Sequence, residues 1–173
     1  MLYLSDPIDE FVVQILNQYD GKSFQSITQG DLDLMDDDQK ESLESKTEDH
    51  KDLIEALEKS LEGKVTRVKL STRLGSHPVS LVSDAGISIE MEQVLSQLSD
   101  AQDVPKASRI LEINLDHDVL KALQNVYENQ PDGLKGYAQL LYDQACLIEG
   151  LALEDPVAFS QNMARLMVEV SKV

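Results

Sequence analysis

The chain has 173 residues, 42% of them hydrophobic, enough to bury a core for one or two small domains. Its 15 Lys and Arg stand against 32 Asp and Glu, a formal charge of −17 that repels phosphate backbones and anionic lipid and argues against nucleic acid or a membrane as partner. The one cysteine, Cys146, excludes a disulfide framework within the chain, so a reducing cytoplasm is the default compartment.

Leu2-Tyr3-Leu4 reads as a short strand, followed by a helix start with Asp6 as N-cap and Pro7 at the first helical position. Ile8, Phe11, Val12, Ile15 and Leu16 make one helical face, Gly21 stands where a helix stop is expected, and residues 24–28 can return as a strand. This opening is a small β-α-β fragment. An acidic junction over residues 30–38 leads into a long polar helix over 39–61, whose thin stripe of Leu43, Ile54, Leu57 and Leu61 suits a connector between packed units. Gly63 ends it.

Residues 65–71 and 79–83 read as strands around the loop 74–78, residues 87–98 as a helix, and residues 109–114 as a third strand. Asp116 or Asp118 can cap the next helix, whose face is Val119, Leu120, Leu123, Val126 and Tyr127. After the turn 130–133, two apolar-faced helices close the chain. The first carries Tyr137, Leu140, Leu141, Ala145, Leu147 and Ile148; the second carries Phe159, Met163, Leu166, Met167 and Val170. Both stripes are too wide for the pair to satisfy each other. They either fold onto their own domain or pair with a second copy as a four-helix bundle. Cys146, inside an apolar run, packs as a small hydrophobe.

Signatures of chemistry are scarce. There is no phosphate-cradling glycine loop and no nucleophile elbow, and His50, His77 and His117 are scattered. The acids Asp31, Asp33, Asp36, Asp37 and Asp38 lack the glycine position and closing Glu of a calcium loop, so no metal site is expected. The start lacks the basic region of a signal peptide, and no apolar run has the length of a membrane span.

Leu2-Tyr3-Leu4-Ser5-Asp6-Pro7-Ile8-Asp9-Glu10-Phe11-Val12-Val13-Gln14, followed by Tyr19-Asp20-Gly21-Lys22, resembles the end of the middle domain of the heat shock protein 90 chaperones, the bacterial HtpG branch in particular. Val65-Thr66-Arg67-Val68-Lys69-Leu70-Ser71-Thr72-Arg73-Leu74, Leu111-Glu112-Ile113-Asn114 and Leu140-Leu141-Tyr142-Asp143-Gln144-Ala145 match the carboxy-terminal domain in the same order. The resemblance covers essentially the whole chain. It implies an α+β fold: residues 1–35 as the tail of the middle domain, 36–63 as the connecting helix, and 64–173 as a dimerisation domain with a three-stranded sheet. In that domain the final two-helix hairpin forms a four-helix bundle in the homodimer. Leu140, Leu141, Leu147, Ile148, Phe159, Met163, Leu166 and Met167 are then the expected interface.

The resemblance also implies contact with unfolded client proteins through the helix bearing Ile87, Met91, Val94, Leu95 and Leu98. Leu98 is expected inward and the other four at least partly available, since methionine adapts to many apolar partners. Without the resemblance that face reads as core. Glu10 and Phe11 match client-contacting positions where the family's aromatic is often Trp; the alternative is that Phe11 is buried beside Ile15. The ATP-binding domain has no counterpart here, so neither ATP nor another cofactor is expected in this chain and ATPase activity is not carried over. The end, Glu169-Val170-Ser171-Lys172-Val173, lacks the acidic Met-Glu-Glu-Val-Asp tail that recruits co-chaperones, which favours a bacterial or organellar relative. The chain is expected to be a fragment of a cytoplasmic chaperone. The rival readings are a purely structural homodimerisation module and a small enzyme of unrecognised type.

Overall fold

A computed structural model describes residues 9–24, 37–84, 86–98 and 105–171. In chain order its elements are α1 (Asp9–Leu16), β1 (Gln18–Tyr19), β2 (Lys22–Ser23), α2 (Asp37–Asp49), α3 (Lys51–Ser60), β3 (Arg67–Ser71), β4 (Val79–Ser83), α4 (Ile89–Leu98), β5 (Arg109–Asn114), α5 (Asp118–Asn129), a 3-10 turn (Pro131–Gly133), α6 (Leu134–Ile148) and α7 (Pro156–Val170). The expected strand Leu2-Tyr3-Leu4, the Asp6 cap and most of the acidic junction lie outside the described residues. Two units are present, one of residues 1–33 and 82–108 and one of residues 34–81 and 109–173, with the division falling inside β4.

In the first unit, α1 ends four residues earlier than the glycine suggested. Asn17 takes a left-handed φ of 57° and its N–H bonds Val13 O at 2.8 Å. Gly21 instead turns a hairpin: Asp20 and Gly21 both have positive φ, 52° and 74°, as a two-residue connection between β1 and β2 requires. The returning strand is therefore Lys22–Ser23 rather than residues 24–28, of which only Phe24 is described. Ser88 caps α4, its Oγ accepting from Met91 N at 2.9 Å, and Ser83 Oγ accepts from Ile89 N at 3.1 Å. Glu92 holds the return of the chain by accepting from Ala107 N at 2.9 Å.

In the second unit the expected long helix is broken at His50 into α2 and α3. Thr47 Oγ1 donates to Leu43 O at 2.7 Å and His50 Nδ1 lies 2.8 Å from Lys46 O, so two side chains one turn apart bond the backbone four residues back. Such competition accompanies helix bends. The two pieces differ in character. Leu43 of α2 is half-buried, whereas Leu53, Ile54 and Leu57 of α3, with Leu61 just beyond it, are core residues. Gly63, at φ 80°, turns the chain toward β3.

The sheet order is β3-β5-β4, with β3 and β5 parallel and Val68 opposite Leu111, Leu70 opposite Ile113. That parity is apolar and lies with α3, α5 and α6 in the core. The other parity of the central strand is buried too: Ile110, Glu112 and Asn114. Glu112 is matched by Arg73, Nη2 to Oε1 at 2.8 Å, which supplies the countercharge a buried carboxylate needs. Asn114 organises the β3–β4 loop by donating from Nδ2 to Gly75 O and His77 O, at 2.9 and 2.8 Å.

Neither Asp116 nor Asp118 caps α5. The cap is His117, whose extended backbone is suited to the position and whose Nδ1 accepts from Val119 N at 3.0 Å. Asp118 instead pairs within the first turn with Lys121, and that hydrogen bond and charge hold its carboxyl below the usual range.

Candidate functional site

Helix α6 ends in a Schellman motif. Leu151 N bonds Cys146 O at 2.8 Å, Gly150 N bonds Leu147 O at 3.2 Å, and Gly150 adopts φ 69°. After a short connector, Asp155 caps α7, its Oδ1 accepting from Val157 N and Ala158 N at 3.1 and 2.9 Å, with Pro156 at the first helical position. The two helices contact each other in opposite directions: a Cβ added to Gly136, near the start of α6, would lie 2.7 Å from Nη2 of Arg165, near the end of α7. Gly136 thus lets the guanidinium cross α6. Beside it Tyr137, Leu140, Asn162 and Leu166 complete a shallow, open recess.

The expected interface residues separate sharply. Leu141 is 7% exposed and belongs to the core, with Ala138, Tyr142, Ala145 and Cys146 on the same side of α6. Leu140, Phe159, Met163 and Leu166 are half-buried. Leu147, Ile148 and Met167 are exposed, at 50%, 42% and 67%, and so are Val157, Val168 and Val170. No side chain of α7 is buried. The α6–α7 hairpin therefore leaves several large apolar side chains exposed.

Behind that surface the groups are tied to the sheet. Arg109 Nη1 donates to the Tyr142 hydroxyl at 2.8 Å, and the Lys64 ammonium stands 5.4 Å from the Tyr142 ring centre. Burial pushes the Tyr142 phenol up to about 12 and also raises the Cys146 thiol. Asp143, bonded by Gln139 at 2.7 Å, is raised as well, chiefly by desolvation, with Glu154 and Asp155 adding to the rise and Lys64 opposing it. None of these groups lines the recess. Among the described residues no group of three or more His, Cys, Asp and Glu could hold a metal ion, and no helix is long and apolar enough to cross a membrane.

The client-contact residues fall in the first unit. Ile87, Val94 and Leu95 are half-buried, but Met91 is 7% exposed: it sits three residues past the Ser88 cap and turns inward, so it is not available as expected. The Leu98 and Glu10 side chains lie outside the described ones. Phe11 is half-buried, and it is not buried beside Ile15, which is 86% exposed. Val12, Leu16 and Tyr19 are exposed too, an apolar face on α1 and its hairpin that the stripe alone did not assign to solvent.

The family profile described as Hsp90 protein matches residues 1–173. The Chaperone protein HtpG of Shouchella clausii is 49% identical over 168 residues, which cover 97% of this chain and 27% of that protein. The proteins of the same name from Bacillus subtilis and Bacillus licheniformis are each 44% identical, over 97% and 96% of this chain and 27% and 26% of their own length. The chain spans about a quarter of the length of these relatives.

Proposed function

The chain belongs to the Hsp90 family of chaperones, and from that premise we propose that it is the dimerising and client-contacting end of a cytoplasmic HtpG-like chaperone, with α6 and α7 pairing with those of a second copy as a four-helix bundle. The observation that carries this reading is that α7, a 15-residue helix with Phe159, Met163, Leu166 and Met167 on it, buries no side chain within its own chain. A helix so apolar is stable in water when another surface covers it. Residues 64–173 would form the dimerisation domain, 36–63 its connection, and 1–35 the tail of the preceding domain. ATP binding and hydrolysis would reside in the part of the relatives that this chain does not span. Tethering two chains here raises the effective concentration of whatever is joined to them, so that a closing step between those parts becomes intramolecular.

Client contact is proposed for Ile87, just before the α4 cap, for Val94 and Leu95 on α4, and for Phe11 on α1, where the exposed neighbours Val12, Ile15 and Leu16 support a surface that holds apolar segments weakly. Sedimentation equilibrium over a wide concentration range tests the pairing. A dimer in the native chain that becomes a folded monomer in Leu147→Glu with Met167→Glu supports it; a native chain that is monomeric throughout removes it. Suppression of aggregation of an unfolded model protein, lost in Val12→Ser with Ile15→Ser, tests client contact separately. Intact suppression in that variant would leave the α1 face without the proposed role.

A further inference from the structure

The orientation of α7 rests on few groups. None of its side chains is buried, and besides its packing on α6 around Gly136 and Arg165 it is held by the connector that precedes it, which is pinned at both ends. At the α6 end Glu149 Oε1 accepts from Ser80 Oγ of β4 at 3.1 Å. At the α7 end Glu154, adjacent to the capping Asp155, receives the Lys64 ammonium at 2.6 Å from Oε2. Lys64 lies between Gly63, which closes the α3 segment, and β3, so the pair joins the α3–β3 junction to the residue before the α7 cap across 90 positions of sequence. The same ammonium faces the Tyr142 ring at 5.4 Å, and that ring is fixed through its hydroxyl by Arg109 of β5.

The charges around this pair make the lysine hard to replace. Asp143 on α6 and Glu154 and Asp155 on the connector form an acidic group within mutual electrostatic reach, and Lys64 is the cation acting on it. Without the lysine, three carboxylates repel one another where the chain turns from α6 into α7, and the connector loses an ionic tie to the α3–β3 junction. We infer that Lys64 and Glu154 form a latch setting the angle at which α7 is presented, so that they are positioning residues for pairing although neither lies on the pairing surface.

The consequence for pairing rests on the reading proposed above, whereas the latch itself does not, and two measurements keep them apart. The first is hydrogen exchange of the full chain at a concentration low enough for monomers. Lys64→Met and Glu154→Gln should each speed exchange across the first turns of α7 and leave α3 and β5 unchanged. The double variant should be no faster than either single one, and Lys64→Arg should restore the native pattern. The second is the dimer dissociation constant, expected to rise about two- to fivefold in either single variant, with the native value moving toward theirs in high salt. Unchanged exchange in α7 overturns the latch. Additive effects of the two substitutions, or faster exchange throughout the second unit, also overturn it, because the residues would then act separately or on the fold. A native chain that never dimerises removes the pairing reading, and the exchange result then decides the latch alone.

Discussion

Arg109 Nη1 lies 2.8 Å from the hydroxyl oxygen of Tyr142, so a hydrogen bond between a guanidinium and a buried phenol joins the central strand of the sheet to the helix that begins the apolar hairpin. Tyr142→Phe keeps the ring in place under Lys64 but removes this acceptor from Arg109. The loss should cost about 1–3 kcal/mol of unfolding free energy, read by urea titration with circular dichroism.

The same phenol gives a pH dependence. Burial raises its ionisation from near 10 to about 12, so above pH 10 the unfolded chain loses this proton before the folded chain does. The folded state then binds more protons than the unfolded one, and stability must fall as pH rises from about 10 to 12. Tyr142→Phe, although less stable at neutral pH, should show a shallower decline over that interval in thermal melts.

Asp143 makes the same demand at lower pH. Its carboxyl is raised chiefly by desolvation, so the proton is held more tightly in the folded chain, and this group's contribution to stability worsens as pH rises through the ordinary carboxylate range. Asp143→Asn keeps a side chain that can bond Gln139 and carries no buried charge. It should raise the melting temperature at pH 7, with the advantage shrinking as pH falls toward 4.

Core and pairing surface should respond differently to truncation. Leu141→Ala removes a core side chain and should cost about 2–5 kcal/mol in the monomer. Met167→Ala, on the exposed face of α7, should change monomer stability by no more than about 0.5 kcal/mol and yet weaken the dimer. Denaturation at low concentration combined with sedimentation equilibrium separates the two effects.

At Gly150 the constraint is conformational. Its φ of 69° is one that an alanine adopts at a cost of about 1–2 kcal/mol, although nothing within 4 Å would obstruct the added Cβ. Gly150→Ala should lower the melting temperature without altering the circular dichroism of the native state.

Much of this fold was legible because its elements carry their own periodicity. The strands at 67–71, 79–83 and 109–114, and helices α5, α6 and α7, follow from alternation or from a 3.6-residue stripe. What escaped was decided by partners distant in sequence or by one side chain's chemistry. Glu112 is buried because Arg73, 39 positions away, accompanies it, a pairing that strand alternation does not reveal. His117 displaced two aspartates as a cap, and Asn17 ended α1 where a glycine four residues on was expected to. The stripe of α6 contains both Leu141 and Leu147, yet one is core and the other faces water. Periodicity places residues on a face and does not say where along the helix the domain's own cover ends.

The parallel pairing of β3 with β5 matches residue 67 to residue 110, with β4 and α4 between them in sequence. During synthesis, therefore, β3 emerges from the ribosome well before the strand that completes its ladder, and Leu53, Leu57 and Leu61 wait for α6, still farther along. The second unit cannot close progressively from its amino end; it must condense late, around β5, from two separated stretches of chain. Until then a protein of a chaperone family carries uncovered apolar side chains of its own, and its nascent chain is itself a candidate for assistance.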